Sequence, residues 1–349
     1  MRVLLTGATG FIGQALVSEM RRRTWDVRAL VRDTRSPAAR WLVEQGASLV
    51  RGDVVQRVGL REAMTGMDAV VHNAGVYEFG ADAATRERMH AVNVRGTDNV
   101  LGAALEAEVA RTVYVSTVWA LGPSGRAGEP VVMRDETRVH GPTCRTAYER
   151  SKLEAHRVAL DYRARGLPLV VAMPNGVVGA NDHSIFGYFL RAYLLRAMPP
   201  IAWEADAVYS LVDVHALASG ISLAVEKAAM GEDYVFCGEP TSIGDLFVRW
   251  SRQTGHVAPR LVLPRWLMRP QMAMLEPLQR AFGLPAILSR DVVDASGVHL
   301  AYTSAKAQRD LGWTHPSSEE MWDRIYIRER DLVGSRTGFL DRLRHQPVG

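Results

Sequence analysis

The segment Thr6-Gly7-Ala8-Thr9-Gly10-Phe11-Ile12-Gly13 decides the fold, because it joins a short apolar run to a segment with helical spacing. Its three glycines permit a tight turn, close approach of the backbone to a pyrophosphate, and close packing of the helix on the strand. The helix N-terminus offers free N–H groups and the positive end of the helix dipole to phosphates. In this strand–turn–helix context the segment predicts a dinucleotide-binding loop. The residues expected to contact the dinucleotide are Gly7, Thr9, Gly10, Phe11, Ile12 and Gly13.

Short apolar runs alternate with longer amphipathic segments through the first two-thirds of the chain. The predicted strands are residues 3–6, 27–31, 48–51, 69–72, 112–116 and 169–172, and residues 13–23 have helical spacing. Strands rich in Val and Leu that alternate with helices predict a parallel sheet covered on both faces. The predicted fold is therefore α/β, a Rossmann-type, doubly wound parallel sheet.

The rhythm changes near residue 181, where aromatic, Pro and Met residues become denser. We predict a dinucleotide-binding Rossmann domain over 1–180 and a smaller, mainly helical substrate-binding cap over 181–349. The last strands of the sheet, at about 205–240, are expected to interleave with the cap, and helical spacing returns at 243–252 and 270–282. The segment 261–288 is expected to pack over the cleft, with contact to a membrane or another protein as the alternative.

The composition indicates a globular protein and excludes several classes. The chain has 349 residues, of which 47% are hydrophobic and 23% charged, and its net charge is +4. The sequence contains no run of five or six basic residues that would indicate a nucleic-acid partner. It also contains no stretch of about 18 uncharged apolar residues that would predict a transmembrane helix. Cys144 and Cys237 make no disulfide framework and lack metal-ligand spacing, so we expect a cytoplasmic protein without a metal site.

The end of the second predicted strand bears on the kind of dinucleotide. NAD enzymes usually place a carboxylate there for the ribose 2′-hydroxyl, whereas an arginine suits the 2′-phosphate of NADP. Val31 occupies the tip and Arg32 follows it, so NADP(H) is favoured over NAD(H). Asp33 keeps NAD(H) open, and Arg28 or Arg35 could share the phosphate.

Tyr148 and Lys152 lie four residues apart at the start of a predicted helix, so their side chains share one face. The chain has 10 tyrosines and three lysines, which makes such a pair informative. A phenol titrates at about pH 10, and a nearby ammonium lowers that pKa by stabilising the phenolate. The pair is therefore a candidate for proton transfer to a carbonyl oxygen while a nicotinamide hydride moves to the carbonyl carbon.

A further hydroxyl is expected at the carboxyl edge of the sheet, where open α/β sheets bind ligands. The predicted strand over 112–116 ends with Ser116, and Thr117 follows it. Either hydroxyl could polarise a substrate carbonyl. The alternative role for each is to cap the strand end.

Together with later motifs, these segments resemble the extended branch of the short-chain dehydrogenase/reductase superfamily, the NAD-dependent epimerase/dehydratase family. The resemblance covers nearly the whole chain. Besides the glycine loop, the matching segments are Gly52-Asp53, His72-Asn73-Ala74-Gly75, Asn93-Val94-Arg95-Gly96-Thr97, Ser116-Thr117 before Gly122, Tyr148 with Lys152, Pro174-Asn175-Gly176-Val177, Leu211-Val212-Asp213-Val214, and Ser304-Ala305-Lys306 before Leu311-Gly312-Trp313.

The resemblance implies that Tyr148 is the general acid/base and that Lys152 binds the nicotinamide ribose. Counting back five residues from Gly122 in the family pattern makes Thr117 the residue that polarises the carbonyl, with Ser116 beside it. The further cofactor contacts that it implies are Asp53 and Val54 at the adenine, Ala74 and Gly75 at the nicotinamide, Pro174 to Val177 at the carboxamide, and Asn93 behind the site in a structural or proton-relay role.

Two departures from the family pattern bear on the substrate. Nucleotide-sugar epimerases and dehydratases usually carry an arginine just before the segment that is Leu211-Val212-Asp213 here, and another where this chain has Met173. Loss of cationic partners from a diphosphate site forfeits charge-assisted hydrogen bonds, so a sugar nucleotide is disfavoured. The segment expected to cover the substrate is instead apolar, with Tyr188, Phe189, Tyr193, Leu194 and Trp203.

Within the superfamily the chain is most similar to the dihydroflavonol-reductase-like and 3β-hydroxysteroid-dehydrogenase-like group. That resemblance implies an NAD(P)-dependent oxidoreductase that interconverts a ketone or aldehyde and an alcohol on a fairly apolar small molecule. The alternatives are an NAD-dependent nucleotide-sugar epimerase or dehydratase, and a non-catalytic dinucleotide sensor, although sensors typically lose the Tyr or the Lys. The resemblance to the superfamily also implies a homodimer through the helices near 86–106 and 148–163.

Overall fold

A parallel sheet organises the part of the chain that the computed structural model describes, residues 1–78, 80, 82–281 and 289–343. Its seven strands are β1 (Arg2–Thr6), β2 (Asp26–Val31), β3 (Ser48–Arg51), β4 (Ala69–His72), β5 (Arg111–Val115), β6 (Leu169–Pro174) and β7 (Asp233–Phe236). They follow the order β7-β6-β5-β4-β1-β2-β3, and every neighbouring pair is parallel. The reversal of strand order beside β1 marks the switch point where such sheets bind ligands. The predicted doubly wound α/β fold is confirmed.

Some of the α-helices cover the two faces of the sheet, and others form the C-terminal part. Their bounds are α1 (Phe11–Arg22), α2 (Pro37–Glu44), α3 (Leu60–Met64), α4 (Ala83–His90), α5 (Gly96–Glu106), α6 (Ala147–Ala164), α7 (Ile185–Leu194), α8 (Val214–Lys227), α9 (Ile243–Thr254), α10 (Arg265–Ala281), α11 (Arg290–Ala295), α12 (Ala305–Leu311), α13 (Ser318–Gly334) and α14 (Phe339–Leu343). Residues of α1 and α8 pack in the core on one face, and residues of α3, α5 and α6 pack in the core on the other.

Alternating side chains of each central strand supply these two cores, as the period of a strand requires. All six residues of β6 are buried. Val170 and Ala172 belong to the core with α1 and α8, whereas Val171 and Met173 belong to the core with α5 and α6. Burial on both faces explains why the strand reads as a continuous apolar run.

A third core forms the mainly helical C-terminal part and joins α7, α9 and α13. Its buried residues include Trp250 and Trp322, whose ring centroids lie 5.1 Å apart in a T-shaped arrangement. Short strands complete this region and its links to the sheet: Gly125–Arg126 pairs with Val298–His299, Val177–Val178 with Val212–Asp213, Ile201–Ala202 with Leu261–Val262, and Val208–Tyr209 with Thr241–Ser242.

The predicted helix over 270–282 begins earlier than expected, at Arg265, and Phe282 lies outside the described residues, as does the rest of the segment 282–288. The inner face of α10 packs Met268 and Met272 against Val293 of α11. Its outer face leaves Trp266 75% exposed. Within the described ranges, no helix combines the length and the apolarity that crossing a membrane requires.

Candidate active site

A cavity of about 460 Å³ lies at the carboxyl edge of the sheet, lined by the loops that follow β1 to β6 and by residues of the C-terminal part. Among the predicted site residues, Gly13 and Asn93 lie outside its wall. The others line it: Gly7, Thr9, Gly10, Phe11, Ile12, Arg32, Asp53, Val54, Ala74, Gly75, Ser116, Thr117, Tyr148, Lys152, Pro174 and Val177. The structure therefore brings together residues spread over some 170 positions of the sequence.

The glycine loop after β1 leaves space that side chains would fill. Gly7 has φ +69°, and a Cβ there would lie 2.8 Å from the backbone of Ala74. A Cβ on Gly13 would lie 2.1 Å from the Gly7 carbonyl oxygen, so Gly13 supports the loop from behind. No side chain caps α1 at Gly10, which leaves first-turn N–H groups for an anion at the cavity wall. These features fit the pyrophosphate of a dinucleotide.

The tip of β2 presents one of the candidate arginines to the cavity. Arg32 is exposed and lines the wall. The Asp33 side chain is engaged in a local hydrogen bond, in which its Oδ1 accepts from the backbone N–H of Arg35 at 2.9 Å. Arg28 donates to the carbonyl of Ala63 at 3.0 Å, so its guanidinium is engaged elsewhere.

The loop after β4 forms the wall beside Gly7 and is fixed by Thr6 of β1. The Thr6 hydroxyl oxygen accepts from the backbone N–H groups of Asn73 and Ala74, at 3.2 and 3.1 Å. The same oxygen lies 2.8 Å from Nδ1 of His72. Burial lowers the pKa of His72 to about 3, so this ring is neutral and serves as a hydrogen-bonding partner.

Asn93 ties the same loop to α6 from behind the cavity. It lies in a π-helical turn, Ala91–Arg95, between α4 and α5. Its Oδ1 accepts from the Val76 N–H at 2.7 Å, and its Nδ2 donates to the Val76 carbonyl at 3.0 Å and to the Ser151 hydroxyl at 2.9 Å. These bonds place Asn93 as a positioning residue for the loop and for the helix turn that carries Tyr148.

Tyr148 and Lys152 line the cavity from the first turns of α6, which Thr146 caps. The Lys152 ammonium donates to the Val115 carbonyl at 3.2 Å, and burial lowers its pKa to about 8. The ring of Tyr77 packs against the ring of Tyr148 edge to face, with centroids 4.6 Å apart. The hydrogen bond to Val115 and the ring contact with Tyr77 therefore hold the side chains of Lys152 and Tyr148 in place.

Burial raises the pKa of Tyr148, although a hydrogen bond with the Thr117 hydroxyl lowers it in part. This direction is opposite to the one that the Tyr–Lys spacing predicts, and the expectation of a lowered pKa is wrong for this structure. The reason is that removal of the phenolate from water raises the pKa by more than the neighbouring groups lower it. Tyr148 is consequently protonated at neutral pH.

The two hydroxyls after β5 have different partners. Ser116 Oγ lies 3.0 Å from Nδ1 of His156, whose pKa burial lowers to about 4. Thr117 accepts from the Trp119 N–H at 3.3 Å. Of the two hydroxyls, Thr117 is the one that lowers the pKa of Tyr148 in part.

The far part of the cavity is mostly apolar. Its apolar lining residues include Trp119, Ile185, Phe186, Phe189, Trp203, Ile243, Phe247, Val292 and Leu300. Among the described cavity residues, Arg32 and Lys152 are the only Arg or Lys side chains. Of the five apolar residues expected over the substrate, Phe189 and Trp203 line the cavity. Tyr188 instead packs on the Arg191 guanidinium, 4.6 Å from its ring centroid, and Tyr193 belongs to the third core.

Several lining residues were not found by sequence reasoning: Tyr77, Asp182, His183, Glu204 and Tyr209. None belongs to a motif that carried the interpretation, and each comes to the wall through tertiary packing of a loop or short strand. In the described ranges no three His, Cys, Asp or Glu side chains group as a metal site would require.

Comparison with known proteins agrees with this geometry. Residues 3–237 match the model of the NAD dependent epimerase/dehydratase family. The chain belongs to this family. It is therefore a member of the extended short-chain dehydrogenase/reductase superfamily, whose members bind NAD(P).

Three relatives of this family member bear names of reductases, dehydrogenases or sterol-processing proteins. A Synechocystis sp. protein that carries the name dihydroflavonol 4-reductase is 30% identical over 335 residues, 90% of this chain and 91% of its own. Sterol demethylase protein B of Methylococcus capsulatus is 31% identical and covers 95% and 100%. A 3 beta-hydroxysteroid dehydrogenase/Delta 5-->4-isomerase of Mycobacterium tuberculosis is 27% identical and covers 89% and 85%. This chain is accordingly an NAD(P)-dependent oxidoreductase.

Proposed function

We propose that the protein interconverts a ketone and an alcohol on an apolar, polycyclic substrate similar to a sterol, with net transfer of a hydride to or from NADP(H). The observation that carries the proposal is that the glycine loop, Tyr148 and Lys152 line the same cavity as its mostly apolar far part, which we call the apolar compartment. No described Arg or Lys lines that compartment to grip the diphosphate of a sugar nucleotide. The sterol-processing names of two relatives agree with this substrate class.

In the reducing direction Tyr148 donates its phenolic proton to the carbonyl oxygen as the C=O double bond becomes C–OH. A nicotinamide cofactor, when bound, would supply the hydride for the new C–H bond and would become oxidised. Because burial holds the proton on Tyr148, the phenol is in the donor form at neutral pH. Thr117, which lines the cavity with Tyr148, polarises the same oxygen, and Ser116 supports it while hydrogen-bonded to His156.

Lys152 has two proposed roles. Its ammonium holds the nicotinamide ribose, and its charge stabilises the phenolate that Tyr148 becomes after it gives up the proton. The Val115 carbonyl orients the ammonium from behind. Asp53 and Val54 flank the adenine, Ala74 and Gly75 the nicotinamide, and Pro174 and Val177 the carboxamide. We assign residues 1–180 to the dinucleotide domain and 181–349 to the cap, with the last part of the sheet, at about 205–240, interleaved with the cap.

Arg32 is proposed to bind the 2′-phosphate of NADP(H). Replacement of Arg32 by Gln is expected to raise the Kd for NADPH about 10- to 100-fold, because a charge-assisted hydrogen bond is lost, and to leave the Kd for NADH unchanged. Fluorescence titration with both coenzymes measures this. Arg35→Gln on the same loop is the control, because Arg35 does not line the cavity. Equal weakening of both coenzymes by Arg32→Gln would contradict the role.

Label transfer tests the reaction itself. The enzyme is incubated with a 3-oxosteroid and NADPH that carries deuterium at the transferable position of the nicotinamide. The product alcohol is expected to carry one deuterium at the new carbinol carbon, which mass spectrometry detects. Product without deuterium at that carbon, or failure to convert such ketones, would refute the proposal.

A further inference from the structure

Glu204 stands out in the apolar compartment because it lines the cavity with an unusual backbone conformation. Its φ is +49°, in the left-handed region that residues with a Cβ seldom adopt. A turn closed by the Ala207 N–H on the Glu204 carbonyl, at 3.0 Å, holds it there. Trp203 before it and Ala207 after it also line the cavity. Strained residues of this kind concentrate at ligand sites.

The carboxylate of Glu204 sits against a glycine that leaves room for it. A Cβ on Gly297, which has φ +74°, would lie 3.1 Å from Glu204 Oε1. The neighbouring residues Ala295 and Ser296 also line the cavity. The carboxylate is thus confined between two loops of the cavity wall.

No described residue hydrogen-bonds to the Glu204 carboxylate or forms an ion pair with it. Asp182, another carboxylate on the wall, differs: it accepts from the backbone N–H of Ser184 at 2.6 Å and from the Ser184 hydroxyl. Asp182 therefore has a structural role before α7. A partly buried carboxylate without a protein partner, in an apolar compartment, is available to a ligand.

We propose that Glu204 accepts a hydrogen bond from a hydroxyl group of the substrate other than the reacting one. This inference rests on the proposed function. It narrows the substrate to a neutral, apolar keto-alcohol or diol. A neutral donor suits the site because the apolar walls make desolvation of an ion costly. The same carboxylate repels substrates that bear a carboxylate or phosphate at that position.

The test compares three 5α-androstan-3-ones that differ at position 17, where they carry a β-hydroxyl, a β-methoxy or a β-carboxylate group. Values of kcat/KM are measured with saturating NADPH for the wild type, Glu204→Gln and Asp206→Asn. Glu204→Gln keeps the size of the side chain and removes its charge. Asp206 is the matched control, because it is an exposed acid on the same loop that does not line the cavity.

The wild type is expected to prefer the hydroxyl over the methoxy compound about 10- to 100-fold, the range for a hydrogen bond to a charged group. Glu204→Gln should reduce that preference about tenfold and improve turnover of the carboxylate compound, whereas Asp206→Asn should leave all ratios unchanged. An equal loss for all three compounds would mean a structural role and overturn the inference.

Two further outcomes distinguish failure of the role proposed for Glu204 from failure of the proposed ketone–alcohol reaction. Equal wild-type turnover of the hydroxyl and methoxy compounds overturns the inference alone, and this comparison needs no variant that might misfold. Failure of the wild type to reduce any of the three ketones overturns the proposed function and the inference together.

Discussion

Tyr148→Phe is expected to lower kcat about 1000-fold or more while the Kd for NADPH changes by less than about threefold. The substitution removes the proton donor, and a positioned acid contributes about 10²- to 10⁴-fold to such reactions. The ring remains and keeps its edge-to-face contact with Tyr77, so the fold and the cofactor site should survive. Steady-state reduction of a 3-oxosteroid and fluorescence titration with NADPH measure the two effects.

Tyr162→Phe is the matched control for Tyr148→Phe. Tyr162 lies on the same helix, α6, and loses a hydroxyl that donates to Asp98 at 2.8 Å, but it does not line the cavity. Its activity should stay within about twofold of the wild type. Retention of more than a tenth of wild-type kcat by Tyr148→Phe would remove Tyr148 from the mechanism.

Gly13→Ala is expected to abolish dinucleotide binding and to reduce the free energy of unfolding by about 3 kcal/mol, the upper part of the range for overpacking. The new Cβ would lie 2.1 Å from the Gly7 carbonyl oxygen and 2.7 Å from Ala8 Cα. Both are backbone atoms of the loop, so the loop must move to relieve the contact. Urea unfolding and NADPH titration measure the two consequences.

Gly334→Ala provides the comparison for Gly13→Ala, because a Cβ at this residue near the end of α13 would meet no atom within 4 Å. Its free energy of unfolding should be unchanged or rise by up to about 1 kcal/mol, as alanine favours a helix more than glycine does. Wild-type NADPH affinity and stability in Gly13→Ala would show that the loop does not depend on this close approach.

The sheet was predictable because its strands carry the strongest patterns. The predicted strands at 48–51 and 69–72 have the observed bounds, and the apolar run at 169–172 reflects burial on both faces. The two-residue strand pairs are too short to show a period. Helix α10 begins five residues before the expected start, so that Pro270, the first residue of the predicted helix, lies inside the observed one.

The candidate site was predictable where residues follow a strand in a motif, as in the glycine loop and Ser116–Thr117. It was not predictable where tertiary packing decides. The pKa of Tyr148 depends on burial, which a four-residue spacing does not reveal. Glu204 reaches the cavity through one turn and one facing glycine, far apart in sequence.

Net oxidation or reduction of the cofactor distinguishes the proposed reaction from an epimerisation or a dehydration, and the balance of coenzyme and product measures it directly. The enzyme is given a 3-oxosteroid and limiting NADPH, and chromatography with mass spectrometry quantifies every species. We predict one mole of alcohol for each mole of NADP⁺ formed. Conversion of substrate with no net change in added coenzyme, together with release of stoichiometric NAD⁺ from the denatured protein, would contradict the account and indicate an epimerase or dehydratase.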